Sequence, residues 1–118
     1  MLLETPFFIA GLIIIILHEI DAVRCHEWRI FPGLSSLKDK TGKSIFLLAH
    51  IPIFYWIFWE IRPSHDDASF RTGFSIFLII HVGLHLLFLR HPKNEFKDPV
   101  SWVLISGAGL CGLSDLFF

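Results

Sequence analysis

Histidines and acids are concentrated where the first apolar segment of the chain ends. The stretch from His18 to Pro32 reads HEIDAVRCHEWRIFP and follows an almost wholly apolar run, residues 6–17. Imidazole and carboxylate groups are common ligands of zinc, iron and manganese, and they are common general acids and bases. No Gly or Pro separates them from the apolar run, so one helix is predicted to carry both. These polar groups are therefore expected to be hydrogen-bonded, ion-paired or metal-bound within the fold.

Three further histidines lie inside apolar segments. His50 interrupts the run SIFLLAHIPIFYWIFWEI, and His81 and His85 interrupt FRTGFSIFLIIHVGLHLLFLR. The spacing of four residues between His81 and His85 places both on one face of a helix, from which two imidazoles can reach one metal ion.

The elements that carry these residues are predicted to be membrane-spanning helices. The chain has 118 residues, of which 53% are hydrophobic and thirteen are Phe, and its mean hydropathy is +0.61. Four apolar segments, residues 6–29, 44–62, 70–90 and 99–118, each approach the roughly 20 residues needed to cross a bilayer. We therefore predict an all-α integral membrane protein, with a single domain over residues 1–118 built as a bundle of four transmembrane helices.

Composition argues against several other classes of protein. The net charge is -1, and no stripe of Lys and Arg indicates binding to nucleic acid. The two cysteines are too few for a disulfide framework. A soluble four-helix bundle is the alternative fold, but the second and third segments lack the polar face that a soluble helix requires.

Lys and Arg residues predict the orientation of the helices. Cytoplasmic connections carry an excess of both. The first and third connections hold most of them: Arg29, Lys38, Lys40, Lys43, Arg90, Lys93 and Lys97. These two connections are expected to face the cytoplasm, and both termini are expected to lie outside.

Depth along the predicted helices brings ligand-type residues into one layer. At a rise of about 1.5 Å per residue, five such side chains lie about 8 to 16 Å from the cytoplasmic helix ends. They are His18, Asp21, His50, His81 and His85, which come from three helices. Because ionisable groups at membrane depth are costly unless paired or coordinated, we predict that these five residues bind metal.

The neighbouring residues receive supporting roles. Glu19 flanks the face of His18 and is the candidate catalytic general acid or base. His26 and Glu27 lie near the membrane surface and are candidates for an outer shell around the metal. On a continuous helix, however, Glu27 would point away from His18.

The ligand set suits a divalent metal such as zinc or iron, and it is large enough for a dinuclear centre. Such a centre predicts a metal-dependent hydrolase or oxidoreductase that acts on a lipid or other amphiphilic substrate. Two alternatives are a b-haem electron carrier, with His50 facing His81 or His85, and a conduit for protons or divalent metal. A purely structural role is the fourth interpretation. The glycines of the last segment would serve a homo-oligomer as well as a monomer.

The first segment resembles that of small, uncharacterised four-helix bacterial membrane proteins of the HXXEE-motif type. The resemblance rests on His18, Glu19 and Asp21, and on a helix-ending stretch from His26 to Arg29 that Pro32 follows. It implies a four-helix fold and a site late in the first helix. It implies no activity. We separately expect the protein to lie in the bacterial inner membrane.

Overall fold

The computed structural model describes residues 5–65 and 67–118, so residues 1–4 and 66 of the predicted single domain lie outside the described part. The helices are α1 (Pro6–Arg24), α2 (Asp39–Glu60), α3 (Ala68–Leu87) and α4 (Pro99–Phe117). Two short 3-10 turns, Glu27–Arg29 and Leu34–Ser36, lie in the connection between α1 and α2. The described residues contain no strand, so the all-α prediction is confirmed.

All four helices are long and apolar enough to cross a membrane. Many large apolar side chains on their outer surfaces are exposed, among them Leu48, Ile51, Leu87 and Val103. In water such a surface would be an aggregation hazard, whereas in lipid it is the expected one.

Helix α4 packs closely against α1 and α3 through small residues. A Cβ atom added at Gly112 would lie 2.5 Å from the backbone oxygen of Ser75, and one added at Gly109 would lie 2.4 Å from the Val82 side chain. Glycine is therefore needed for this approach, as is common where helices associate in lipid.

Helix α2 is held at its N-terminal end by the first connection. The Trp28 indole and the Arg29 guanidinium both donate hydrogen bonds to the Asp39 carboxylate, at 2.9 and 2.7 Å. Farther along, Phe46 and Ile57 are the large α2 side chains that are buried. Gly42 is buried against Trp28, His50 and Phe54 are half-buried, and most of the other α2 side chains are exposed.

At the opposite end of the bundle, a charged pair joins α3 to α4. Arg71 donates three hydrogen bonds to the buried Asp115 carboxylate, and Ser75 donates a fourth at 2.8 Å. This network satisfies the buried acid, so it accounts for Asp115 without a ligand.

Candidate metal centre

Side chains from α1, α3 and the first connection meet in the bundle. His18 Nε2 lies 3.1 Å from His81 Nε2, and His85 Nε2 lies 3.3 Å from Glu27 Oε1. The distance from His18 Nε2 to the same Glu27 oxygen is 3.7 Å. One donor atom from each of these four residues lies within 4.8 Å of every other. The four residues are called the His3Glu cluster below.

These separations match the spacing of ligands around one small cation. Four ligand atoms at about 2.0 to 2.2 Å from a tetrahedral metal are about 3.3 to 3.6 Å from one another. The three measured distances, 3.1, 3.3 and 3.7 Å, span this range. The other three pairs lie within 4.8 Å, so the His3Glu cluster could hold a metal ion if its side chains moved closer together around it.

Glu27 reaches the cluster because α1 ends earlier than its sequence indicated. The segment 6–29 was expected to be helical, but the helix ends at Arg24 and His26 adopts a left-handed conformation with φ 53° and ψ 50°. Histidine is among the few residues other than glycine that are enriched in this conformation. The resulting turn directs the carboxylate of Glu27 back beneath α1, whereas a continuous helix would have pointed it away.

Phe96 lies in the connection between α3 and α4. It covers the cluster on the side that faces the first and third connections. Its ring stacks on His18 at a centroid distance of 5.5 Å and meets His85 edge-on at 4.6 Å. The Phe96 backbone is held in place by Asn94, whose side-chain oxygen accepts from its N–H, and by Trp102, which donates to its carbonyl. Phe96 is fully buried, so it shields the histidines from water.

Burial differs among the four members. The relative exposure of the three histidines is 0 to 7%, whereas the Glu27 side chain is 15% exposed. Burial opposes ionisation of Glu27, but the adjacent imidazoles of His18 and His85 outweigh it and lower the pKa of Glu27 to about 2. The cluster thus includes one fixed negative charge, which favours a cation.

The Nδ1 atoms of His18 and His81 are buried without a hydrogen-bond partner among the described residues. Metal-binding histidines usually donate their second nitrogen to an acceptor, so these two differ from the common pattern. A hydrogen bond between the two Nε2 atoms would explain their 3.1 Å separation. That hydrogen bond would still leave both Nδ1 atoms without a partner. It would also not explain why Glu27 and His85 converge on the same point.

Asp21 lies in a different network from the one predicted for it. Its carboxylate accepts a hydrogen bond from Ser101 at 2.6 Å and pairs with Arg24 at 2.8 Å. Arg24 also pairs with Asp98 at 3.0 Å. These contacts join α1 to the start of α4 and satisfy Asp21 without a metal ion, because the helix rotates its carboxylate towards α4.

His50 and Glu19 are paired with each other rather than with the cluster. His50 Nε2 lies 2.5 Å from Glu19 Oε2, and the His50 Nδ1–H donates to the Phe46 carbonyl at 2.6 Å. They lie between α1 and α2, on a different face of α1 from His18. The general acid or base role of Glu19 stays a prediction.

His26 is close to the cluster in sequence only. Its Nδ1 lies 2.7 Å from the Glu95 carboxylate, which also pairs with Arg29 at 3.5 Å. This contact joins the first and third connections. The clearest contribution of His26 is the left-handed turn that positions Glu27.

Glu60, His65 and Asp67 form a second group of ligand-type residues, at the other end of the bundle. His65 is hydrogen-bonded to Glu60 at 3.0 Å, and Asp67 caps α3 by accepting from the backbone of Ser69 and Phe70. All three are partly exposed. A capped turn accounts for these contacts.

The comparisons with known proteins give a family and no activity. A model described as "Family of unknown function (DUF6713)" matches residues 4–118. No curated protein and no solved structure matches the chain. The resemblance to proteins of the HXXEE-motif type stays a prediction.

Proposed function

The chain belongs to this family of unknown function, DUF6713, and from the geometry of the His3Glu cluster we propose that it is an integral membrane metalloprotein. The ligands are His18, His81, His85 and Glu27. The single observation that carries the proposal is that donor atoms of four residues from three separate segments lie within 4.8 Å of one another in a largely buried site.

The donor set points to one ion rather than two. Three imidazoles and one carboxylate complete a four-coordinate site, and both Asp21 and His50 are engaged elsewhere. Zinc prefers this number and mixture of ligands, and iron is the second choice.

Haem fits this arrangement poorly. The ring centroids of the three histidines lie 4.5 to 4.8 Å from one another, so the rings are in direct contact. A porphyrin requires two histidines on opposite sides of a wide planar slot. His50, the predicted haem partner, is paired with Glu19 instead.

A conduit is also less well supported than a fixed metal site. On the side of the cluster away from the connections, the bundle is filled by apolar side chains. This group includes Leu12, Ile15, Leu78 and Ala108. A path for ions would need polar groups in that direction.

Catalysis is the second candidate function, and the position of Glu27 favours it. Glu27 lies on a connection rather than on a helix, and it is the most exposed member of the cluster. Its withdrawal would leave three histidines and one open position, as in catalytic zinc sites. A metal bound there would supply Lewis acidity, and the surrounding lipid favours an amphiphilic substrate.

We place the end of the bundle with the first and third connections in the cytoplasm, as the excess of Lys and Arg there indicates. The contact between His26 and Glu95 joins these two connections, so they share one end. A reporter fused after Phe118 should be active outside the membrane. Activity on the cytoplasmic side would reverse this orientation.

Cobalt titration tests the metal site directly. We expect the metal-free protein in mild detergent to bind about one Co²⁺ per chain and to give the visible bands of a tetrahedral complex. His81→Ala should abolish these bands, whereas His91→Ala, a histidine outside the cluster, should not. The proposal would be contradicted if the wild type, His81→Ala and His91→Ala all gave octahedral cobalt spectra, or if the three spectra were the same.

The Glu27→Ala variant separates the catalytic candidate from a structural site. If three histidines retain Co²⁺ with an open position, adding azide should shift the visible bands of this variant and leave those of the wild type unchanged. Loss of all cobalt from Glu27→Ala would instead assign Glu27 a purely structural role.

A further inference from the structure

A groove runs between α1 and α2 on the outer surface of the bundle. Its volume is about 200 Å³. Six of its lining side chains are apolar, and the other two are the paired Glu19 and His50. The apolar ones are Ile16, Ile20, Val23, Phe46, Leu47 and Phe54.

The groove exists because α2 contacts the core at two separated points. Phe46 is buried with the residues around Trp28, and Ile57 is buried in the cluster at the other end of the bundle. The groove lies between these contacts, where α1 and α2 are bridged by side chains alone. It is therefore open towards the lipid.

Glu19 and His50 supply a polar feature at the apolar groove. Their side chains are 19% and 20% exposed. The Phe46 carbonyl fixes the His50 ring, and His50 in turn engages one oxygen of the Glu19 carboxylate. The other oxygen, Oε1, accepts no hydrogen bond from the described residues. A ligand in the groove could donate to it.

The depth of Glu19 suits the head of a lipid rather than its tail. Glu19 lies five residues before the end of α1, or about 7.5 Å along the helix at the usual rise. Ile16 and Phe54 continue the apolar wall farther from that end. A chain whose head sits at Glu19 would thus extend along them towards the middle of the bilayer.

We propose that this groove binds a neutral, single-chain lipid whose head presents a hydroxyl group, with the hydroxyl donating to Glu19. The apolar walls, which enclose about 200 Å³, accommodate the part of the acyl chain next to the head, and the rest of the chain extends into the surrounding lipid. Glu19 Oε1 can only accept a hydrogen bond, and neither the carboxylate of an ionised fatty acid nor a phosphocholine head has an O–H or N–H to donate, so the site selects against both. The site shares no residue with the His3Glu cluster and does not depend on metal.

The test uses the full-length protein in phosphatidylcholine vesicles and a monoacylglycerol with a photoreactive diazirine in its chain. Irradiation should label peptides that contain residues 16–23 and 46–54. A fatty acid and a phosphatidylcholine with the same photoreactive chain should label them less, on the order of tenfold for one lost hydrogen bond in a dry site.

Four substitutions locate the site and test its selectivity. Ile20→Trp should fill the groove and remove the labelling, whereas Ile13→Trp, at an exposed α1 position that does not line the groove, should not. Glu19→Leu should retain labelling but lose the preference for the monoacylglycerol over the fatty acid. If Ile20→Trp does not fold, Leu47→Trp blocks the opposite wall.

Equal labelling by all three probes, or equal labelling of Ile20→Trp and Ile13→Trp, would overturn the proposal. Either result would mean that the probe reports only the annular lipid around the bundle.

Discussion

The Nε2 atoms of His18 and His81 lie 3.1 Å apart, although 63 residues separate them along the chain. Each side chain extends from a helix into the same buried layer, and His85 and Glu27 approach the same point. Two buried imidazoles at this distance share either a proton or a metal ion. The anionic Glu27 beside them would stabilise either cation, so metal analysis is the measurement that separates the two.

Metal removal should destabilise the protein. A ligand that binds only the folded state stabilises it by about 2.7 kcal/mol at a free concentration one hundred times its dissociation constant. We expect a chelator to lower the midpoint of thermal unfolding of the wild type and of His91→Ala. The midpoint of His81→Ala should not respond. An equal response of the two variants would place the metal elsewhere.

His26 should act through its backbone conformation. Glycine adopts φ 53° without strain, whereas a β-branched residue is strained there by about 1 to 2 kcal/mol. His26→Gly should therefore keep its metal, and His26→Val should bind metal more weakly because the turn that positions Glu27 is disturbed. Metal content and thermal stability measure both effects. Equal loss of metal in the two variants would instead indicate that the imidazole itself is needed.

Removal of the Phe96 ring should expose the histidines. The side chain is fully buried, so Phe96→Ala should cost about 3 to 5 kcal/mol and should speed the transfer of metal to a chelator. Phe118→Ala, at a position that is 95% exposed, is the matched control. If Phe96→Ala does not fold, Phe96→Leu should show a smaller acceleration. Transfer at the wild-type rate in a folded Phe96 variant would show that this ring does not shield the site.

The contact between α3 and α4 should not tolerate a methyl group at Gly112. Its Cβ would lie 2.5 Å from a backbone oxygen, so we expect Gly112→Ala to lower the free energy of unfolding by about 1 to 3 kcal/mol. At Gly83 an added Cβ meets no described atom within 4 Å. Gly83→Ala should raise stability by up to about 1 kcal/mol because alanine favours the helix. Unfolding in detergent compares the two variants, and equal stabilities would show that the close approach does not matter.

Much of the fold could be predicted from hydropathy alone. Segments of about 20 apolar residues leave few alternatives to membrane-spanning helices, and the described structure has four. The cluster members His81 and His85 could also be predicted from the sequence, because their spacing fixes them on one face of α3. The rise per residue along α1 then predicted that His18 lies in the same layer as His81 and His85.

Helical periodicity could not predict the position of Glu27 or the partners of Asp21 and His50. Glu27 depends on a left-handed residue other than glycine, and the sequence contains no Gly or Pro that would mark the end of α1 there. Asp21 and His50 lie at suitable depths but face Ser101 and Glu19, because rotation about the helix axis, rather than depth, decides which neighbour a side chain meets. One signal was available: histidine is enriched at left-handed helix ends.

Elemental analysis of the protein purified in mild detergent tests the central claim most directly. We predict about one zinc or iron per chain in the wild type and in the control His65→Ala/His91→Ala, since a four-coordinate site holds a single ion. His81→Ala/His85→Ala should retain its helical content and contain no stoichiometric metal. A folded wild type without stoichiometric metal, or a full complement of metal in His81→Ala/His85→Ala, would contradict the assignment of the His3Glu cluster as a metal site.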